Sequence, residues 1–384
     1  MPTQATAVIG ANYGDEGKGR TVDALTRTTP GALVVRSNGG AQAGHTVTTP
    51  DGRTHVFHHL GSGALAGAGT HLSRHMVSHP MLLAAEVRAV RAHGGNTAVS
   101  ADGRGYVTTP WDMMVNQAVE AGRGHARHGS CGLGFGETVG RCEDTPLTVA
   151  DLRAPDLRDR LAAIRDDWFP GRLAALGITA SSYLAQADAV FDRFLADCAT
   201  FTALVRSCDD RSLGDATALI FEAAQGLLLD QHAPGFPHVT RSNTGIANIA
   251  AIAAEAGIAR IDAHYVTRAY LTRHGRGPMT DERDIAPWFD VIDPTNRPNP
   301  WQETLRFGLL DLHHLAATVA ADAVPGIALI RHAAVTCLDQ ARDGQVAYFD
   351  DGVQWTCPAP AFAELVRTRL AAASVSAGWS PAAA

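Results

Sequence analysis

The sequence contains almost no lysine. Lysine and arginine together number 32 in 384 residues, and Lys18 is the single lysine, so the other 31 are arginine. Lys18 lies in the segment Gly14-Asp15-Glu16-Gly17-Lys18-Gly19-Arg20, directly after the apolar residues 5–9. A lysine among glycines, between a predicted strand and a predicted helix, is typical of a phosphate site, because backbone N–H groups and a compact ammonium group both bind phosphate oxygens. The alternative is a turn that carries a solvated lysine.

Three further absences restrict the class of protein. The six cysteines show no CxxC pair and no zinc-type spacing, which argues against a disulfide framework or a structural zinc site. No stretch approaches the roughly 20 apolar residues of a membrane span, and the N-terminus lacks a signal pattern. The net charge of −7 argues against a general nucleic-acid surface. We therefore expect a cytoplasmic protein with no membrane or nucleic-acid partner.

Strand and helix patterns alternate along the chain. Strands are predicted at 5–9, 32–36, 217–223 and 324–331, and helices at 20–28 and 80–91. The region 151–212 is mainly helical in pattern, and the three prolines within 293–300 indicate an extended loop. The final residues, 373–384, are expected to be poorly ordered. These patterns predict one α/β domain over 1–384, with a mainly parallel central sheet flanked by helices and a helical insertion at 151–212.

The two glycine-rich segments carry the candidate chemistry. The Lys18 segment is not a Walker A loop, because Asn12 stands where that motif needs its first glycine and Gly19 replaces the hydroxyl residue. Asp15 can act as a magnesium ligand or a base, and Glu16 can fix the loop by accepting backbone hydrogen bonds. The second segment runs from Gly39 to Thr46 and presents His45, a candidate general acid.

Five motifs together resemble the adenylosuccinate synthetase family. They are residues 13–19, 35–46, 221–226, 237–244 and 272–278, and their order and spacing match over roughly positions 5–315. The resemblance implies a homodimeric α/β enzyme with a P-loop-NTPase-like fold. It also implies a reaction: the γ-phosphoryl group of GTP passes to the 6-oxygen of IMP with the help of Mg²⁺, and the amine of L-aspartate then displaces phosphate.

The resemblance also implies roles for individual residues. Asp15 would be the base, His45 the acid and Lys18 the charge clamp, and Asp15 and the carbonyl of Gly44 would coordinate Mg²⁺. The donor phosphates would lie against Gly14, Glu16, Gly17, Gly19, Arg20, Gly44 and Thr46. The acceptor nucleotide would lie against Gln42, Ser130, Cys131, Gln225, Thr240 and Arg273, with Arg141 reaching the phosphate in the neighbouring subunit.

The chain departs from the family pattern at the substrate loops. The family has an arginine-rich loop for the amino-acid carboxylates, whereas this chain has residues 299–306, of which only Arg306 matches. A dicarboxylate without bidentate arginine partners binds poorly, since each lost charge-assisted contact costs roughly 1.5 to 3 kcal/mol. Gln42 replaces an asparagine, and Leu133 replaces the arginine of the phosphate loop at 129–136. The identity of the amine therefore stays open.

The donor base and the exact activity also stay open at this stage. The guanine-reading Thr-Lys-Leu-Asp of the family aligns either with Thr336–Asp339, which lacks the lysine, or with residues 331–334, which lack the aspartate. Asp339 is thus a candidate base contact, and the donor is GTP or ATP. The alternatives are a relative with another amine or acceptor, as in phage-type purine metabolism, a phosphotransferase, and a non-catalytic nucleotide-binding regulator. Asp15, Lys18 and His45 favour an enzyme, because a regulator needs neither a base nor an acid.

Overall fold

The central strands are rich in apolar residues and largely buried, as parallel strands covered on both faces require. The computed structural model describes residues 4–124, 127–179, 186–293, 296 and 304–378. Nine strands form the main sheet: β1 (Gln4–Gly10), β2 (Ala32–Arg36), β5 (Gly69–Leu72), β6 (Val99–Ala101), β7 (Val205–Ser207), β8 (Ala218–Glu222), β9 (Arg260–Arg268), β12 (Ala328–Thr336) and β15 (Val375–Ala377). They lie in the order β15-β12-β9-β1-β8-β2-β5-β6-β7, and every neighbouring pair is parallel.

Two smaller sheets accompany the main one. The hairpin joins β3 (His45–Thr48) to β4 (Thr54–Phe57), and a four-stranded sheet contains β10 (Tyr270–Arg273), β11 (Arg306–Asp311), β13 (Gln345–Asp350) and β14 (Val353–Pro358).

Helices cover the main sheet and form a lobe beside it. The α-helices of the described residues are α1 (Lys18–Thr28), α2 (Pro80–Ala92), α3 (Pro110–Arg123), α4 (Phe135–Asp144), α5 (Leu157–Ala163), α6 (Phe169–Ala175), α7 (Phe191–Leu204), α8 (Ile246–Glu255), α9 (Leu312–Ala321) and α10 (Ala359–Arg369). In the part of the chain that the structure describes, no helix is long and apolar enough to span a bilayer. The arrangement confirms the prediction of one α/β domain with a parallel central sheet.

Three sequence-based boundaries were wrong. The strand predicted at 324–331 lies at Ala328–Thr336, because Pro325 and the positive φ of Gly326 (85°) form the turn before it. The helical insertion at 151–212 ends with Leu204, since 205–207 join the edge of the main sheet as β7. The predicted disordered tail contains β15, which pairs with β12, so the expectation fails for residues 375–377; residues 379–384 lie outside the described part.

The sheet gathers several loops at one edge. Because all nine strands are parallel, the loops that follow β1, β2, β8 and β9 emerge at the same carboxyl edge. Four residues that are far apart in sequence lie in or at the ends of these loops: Lys18, His45, Gln225 and Arg268. The candidate site is therefore a product of the sheet topology.

Candidate active site

The Glu16 carboxylate fixes the conformation of the Lys18 loop. One oxygen of Glu16 accepts hydrogen bonds from the backbone N–H groups of Asn12 (3.0 Å) and Gly14 (2.8 Å), and the other lies 2.9 Å from the Lys18 ammonium nitrogen. Lys18 is only 3% exposed and begins α1 directly after Gly17, which adopts a left-handed conformation (φ 100°). The loop thus places a buried, paired ammonium group at a helix N-terminus, where anions bind favourably.

Gly10 makes room for this arrangement. A Cβ atom at Gly10 would lie 2.8 Å from the Lys18 ammonium nitrogen and 2.6 Å from the Gln225 carbonyl oxygen, and it would also collide with the Glu16 carboxylate. Any larger residue at position 10 would therefore displace the Lys18–Glu16 pair.

His45 is oriented by a buried carboxylate. Its Nδ1 lies 2.5 Å from Glu222 at the end of β8, and the Glu222 carboxylate also accepts from the backbone N–H (2.9 Å) and the hydroxyl of Ser62. Burial alone would raise the pKa of Glu222, but the positive charges of His45 and Arg36 outweigh it and hold the pKa at about 2. Burial lowers the pKa of His45, against the opposing charge of Glu222. The contact between Nδ1 and this carboxylate fixes the orientation of the imidazole ring.

Asp15 lies at the opening of the same site. Its φ of 61° turns it out of the loop, and its backbone carbonyl accepts a hydrogen bond from Arg268 Nε at 2.5 Å. Its carboxylate lies 3.3 Å from His274 Nε2, which is also 3.0 Å from the Asn296 amide oxygen. Arg268 in turn pairs with Asp293 at 2.9 Å, so the Asp15 loop is tied to β9.

One cavity of about 610 Å³ connects the two glycine-rich loops. Most of the residues selected from the sequence line it: Gly14, Asp15, Gly17, Lys18, Gly19, Gln42, Gly44, His45, Thr46, Ser130, Cys131, Gln225, Thr240 and Arg273. Burial raises the pKa of the Cys131 thiol, so this residue contributes a small, neutral side chain to the cavity wall. The structure therefore brings the two predicted loops and the predicted acceptor residues to one place.

Five selected residues do not line this cavity: Glu16, Arg20, Asp339, Arg306 and Arg141. Glu16 lies beneath the loop as its support, Arg20 is exposed on α1, and Asp339 is exposed beyond β12. Arg306 pairs with Glu282 at 2.5 Å and donates to the carbonyl of Gly277, a cavity residue.

The structure gives Arg141 a role other than the predicted one. It is fully buried, its Nε donates to Asp112 at 2.8 Å, and its other nitrogens donate to Asp112 and to the carbonyls of Val107 and Thr145. Asp112 is the third residue of α3 and forms the capping box with Thr109, so this arginine joins α3 to α4 within the chain. The expectation that Arg141 reaches a phosphate in a neighbouring subunit does not fit a side chain used in this way.

Sequence reasoning missed several functional candidates. Glu222 and Ser62 were not selected, although Glu222 belongs to one of the five motifs, and the contact to His45 spans 177 residues. His128, His238, Arg268 and His274 also line the cavity without having been assigned to it. Glu222 reaches His45 because β8 pairs in parallel with β1 and β2, and local sequence patterns do not show this pairing.

The two segments that resemble the base-reading motif of the family lie in different places in the fold. Thr336 ends β12 and donates from its hydroxyl to the Glu16 carbonyl at 2.7 Å, so residues 336–339 emerge beside the Lys18 loop. Residues 331–334 lie inside β12, paired with β9 and β15. Of the two segments, Thr336–Asp339 is thus the one with a direct contact to the loop that carries Lys18.

The fold and the loops define the class of protein. A parallel sheet that presents a lysine-bearing loop at a helix N-terminus, with a second glycine-rich loop beside it, is characteristic of α/β enzymes that bind nucleotides.

Comparisons with known proteins identify the family. The adenylosuccinate synthetase family model matches residues 7–381, so the chain belongs to the adenylosuccinate synthetase family. It is 32% identical over 367 residues to adenylosuccinate synthetase from Anaeromyxobacter dehalogenans (strain 2CP-1 / ATCC BAA-258), covering 90% of this chain and 80% of that protein. A relative from Synechococcus sp. (strain RCC307) is 33% identical over 294 residues, with 72% and 63% covered. The family makes the protein a C–N bond-forming ligase of purine biosynthesis.

Two solved structures have the same fold. The fully ligated adenylosuccinate synthetase from Plasmodium falciparum superposes with a TM-score of 0.73 at 17% identity, covering 97% of this chain and 96% of that one. The cyanophage S-2L succinoaminodeoxyadenylate synthetase (PurZ), bound to dGMP and dATP as an energy donor, has a TM-score of 0.61 at 16% identity, with 98% and 91% covered. The central sheet predicted from the sequence, with its P-loop-like character, is confirmed.

Proposed function

We propose that this ligase transfers the terminal phosphoryl group of a nucleoside triphosphate to the 6-oxygen of IMP and that an amine, L-aspartate in the parent reaction, then displaces phosphate. The observation that carries the proposal is the convergence of Asp15, Lys18 and His45 on one cavity. They supply a base, a fixed positive charge and an acid, which are the three groups that this reaction needs.

The chemistry explains why a base and a positive charge are required. The 6-oxygen of a purine lactam is a weak nucleophile, so removal of the ring N–H proton by the Asp15 carboxylate increases its reactivity. Lys18 stabilises the negative charge that develops on the transferred phosphoryl group. Glu16 keeps Lys18 in place, at 2.9 Å, before any ligand arrives.

His45 becomes an acid only when an anion is close. In the free protein its pKa is lowered by burial, and Nδ1 is held by Glu222. The negative charge of bound phosphates favours the imidazolium, so the second proton is taken up at Nε2. His45 then donates this proton to the oxygen that leaves with phosphate. Glu222 is a positioning residue that fixes the ring and stabilises its charged form.

The residues also fit a magnesium ion. In the described ranges no group of three or more His, Cys, Asp or Glu side chains could hold a metal by itself. Mg²⁺ in phosphoryl-transfer sites is bound through one or two protein ligands together with substrate phosphates and water. Asp15 and the carbonyl of Gly44, which both line the cavity, would hold it. When bound, Mg²⁺ neutralises and orients the phosphates of the donor.

We propose GTP or ATP as the donor and a homodimer as the assembly. Cys337 removes the lysine of the family's base-reading segment, which weakens the argument for guanine over adenine, while Asp339 keeps the acidic position. The homodimer rests on membership in the family. Light scattering of the purified protein tests the homodimer, and donor competition tests the base.

A turnover assay tests the function. Purified protein is incubated with IMP, Mg²⁺, L-aspartate or other amines, and either GTP or ATP, and phosphate release is followed. Asp15→Asn should reduce kcat at least about 100-fold while leaving nucleotide binding nearly unchanged, because it removes the base and keeps the shape. Asp192→Asn, at an 84% exposed side chain, is the matched control and should retain full activity.

Three outcomes of this assay would contradict parts of the proposal. Turnover with another amine but none with L-aspartate would exclude the parent reaction. A phosphorylated nucleotide that persists in the presence of amines would indicate a phosphotransferase. Nucleotide binding without turnover with any acceptor would favour a regulator.

A further inference from the structure

Two arginine positions of the family pattern supply no free positive charge to the acceptor side of the cavity. Leu133 occupies the loop position where the family has arginine, and Arg141 is committed to the buried pair with Asp112. The backbone N–H of Gly129 already donates to Glu120 at 3.0 Å, and Asn116 donates to the Ser130 hydroxyl at 2.9 Å. If the acceptor is a nucleotide, other side chains must hold its phosphate.

Two histidines, His128 and His238, line the acceptor side of the cavity. His128 immediately precedes Gly129 and Ser130, and His238 lies two residues before Thr240, so each adjoins a segment assigned to the acceptor. Both line the cavity, both are partly exposed, and their ring centroids are 4.8 Å apart. A pair of imidazoles that reaches across the cavity wall from two different loops is suited to bind one small anion between them.

Arg273 lies directly beside His238. Arg273 donates from one terminal nitrogen to the His238 carbonyl at 2.7 Å and from the other to the Pro278 carbonyl at 2.6 Å. It is 2% exposed and forms no ion pair with any carboxylate in the described part of the chain. Its Nε and the Nδ1 of His238 are buried without a hydrogen-bond partner among the described residues. Buried polar atoms in this state usually meet a ligand or water.

The local field is also positive. Burial lowers the pKa of both histidines, and the positive charges of Arg123 and Arg273 lower the pKa of His238 further. Arg123 is neutralised by Glu120 at 2.8 Å, whereas Arg273 donates to two backbone carbonyls and lies over the Tyr13 ring at 4.5 Å. An anion bound between the rings would therefore meet N–H donors and one uncompensated guanidinium charge.

We propose that His128 and His238, with Arg273 behind them, bind the phosphate monoester of the acceptor nucleotide. This inference rests on the proposed function, since it assigns the cluster to the acceptor rather than to the amine. The cluster replaces the missing arginines with a pair of imidazoles, and it makes His128 and His238 specificity residues for a nucleotide over a nucleoside. The carboxylate of the amine is the other oxyanion of the reaction, and the test must separate the two.

The test compares IMP with inosine. We would prepare His128→Asn, His238→Gln and the double variant, which keep polar side chains of similar length. Binding of IMP and of inosine to the full chain would be measured by calorimetry, and kcat/KM would be measured where turnover occurs. Ribose 5-phosphate, as a competitor, reports the phosphate contact even when inosine binds too weakly to measure. His313→Asn, at a 68% exposed side chain on α9, is the matched control and should change nothing.

The expected result is selective. Each single variant should raise the Kd of IMP at least about tenfold, which is the smallest loss expected when a hydrogen bond to a charged group is removed. Inosine binding and the KM of the amine should stay unchanged. Equal losses for IMP and inosine would show a structural role and overturn the proposal. A raised KM for the amine with an unchanged IMP-to-inosine ratio would assign the cluster to the carboxylate instead. IMP binding without turnover would contradict the proposed function alone, and absence of IMP binding by the unaltered protein would contradict both.

Discussion

Replacing Glu222 by glutamine should impair catalysis more than binding. The Glu222 carboxylate accepts three hydrogen bonds, one from His45 Nδ1 at 2.5 Å and two from Ser62. An amide has only one acceptor oxygen, so its NH₂ group must face one of these donors. The variant keeps the shape of the site but removes the negative charge beside His45.

The magnitude follows from the contacts that are lost. A hydrogen bond to a buried charged group contributes about 1.5 to 3 kcal/mol, so the free energy of unfolding should fall by about 2 to 4 kcal/mol. The imidazolium form of His45 loses a stabilisation of about 2 to 3 kcal/mol, which corresponds to a kcat about 30- to 140-fold lower. The KM values of both nucleotides should stay within about threefold, because Glu222 lies behind His45 and does not line the cavity.

Steady-state phosphate release at saturating substrates measures kcat, and urea unfolding measures stability. Ser62→Ala is the matched control, since it removes one donor to Glu222 and leaves the carboxylate charge next to His45; its kcat should fall less than about fivefold. An unchanged kcat in Glu222→Gln, or a raised KM at constant kcat, would refute the view that this carboxylate acts through His45.

Two further predictions concern the loop and the core. Gly10→Ala should lower kcat at least about tenfold, because its Cβ would collide with the Glu16 and Lys18 side chains. Gly171→Ala, on α6 with open space around it, is the control and should retain kcat. Equal activity of the two variants would contradict the loop argument. Burial tends to raise the pKa of Glu86, but His59 and the backbone N–H groups of His58 and His59 outweigh it and hold the pKa at about 2. Its usual pKa is 4.5, so its contribution of about 3 kcal/mol is present above pH 4.5 and is lost as the pH falls towards 2. In Glu86→Gln, the free energy of unfolding measured with urea should change less between pH 5 and pH 2.5 than it does in the unaltered protein. An identical pH dependence in the two proteins would show that Glu86 is not the group that titrates.

The local parts of the site were predictable from the sequence. Lys18, Asp15 and His45 belong to short glycine-rich segments, which local sequence patterns identify as loops that follow strands. Gly17 is left-handed at φ 100°, and Glu16 accepts the backbone hydrogen bonds that the sequence suggested. Five separated motifs in one order were enough to predict the family.

The long-range parts were not predictable in the same way. The Glu222–His45 contact depends on the pairing of β8 between β1 and β2, which no local pattern shows. Arg141 resembles a phosphate ligand by its position in the sequence, but a single acidic residue 29 positions away, Asp112, makes it a structural group. Whether an arginine faces a ligand or a carboxylate is decided by packing, and packing appears only in three dimensions.

The most direct test of the account follows the 6-oxygen of IMP. IMP labelled with ¹⁸O at this oxygen would be incubated with donor, Mg²⁺ and the amine that supports turnover, and the released phosphate would be analysed by mass spectrometry. If Asp15, Lys18 and His45 direct the terminal phosphoryl group to the purine oxygen, each released phosphate carries one ¹⁸O atom from IMP. Phosphate without the label would show that the donor is hydrolysed by water instead, and it would contradict the central claim.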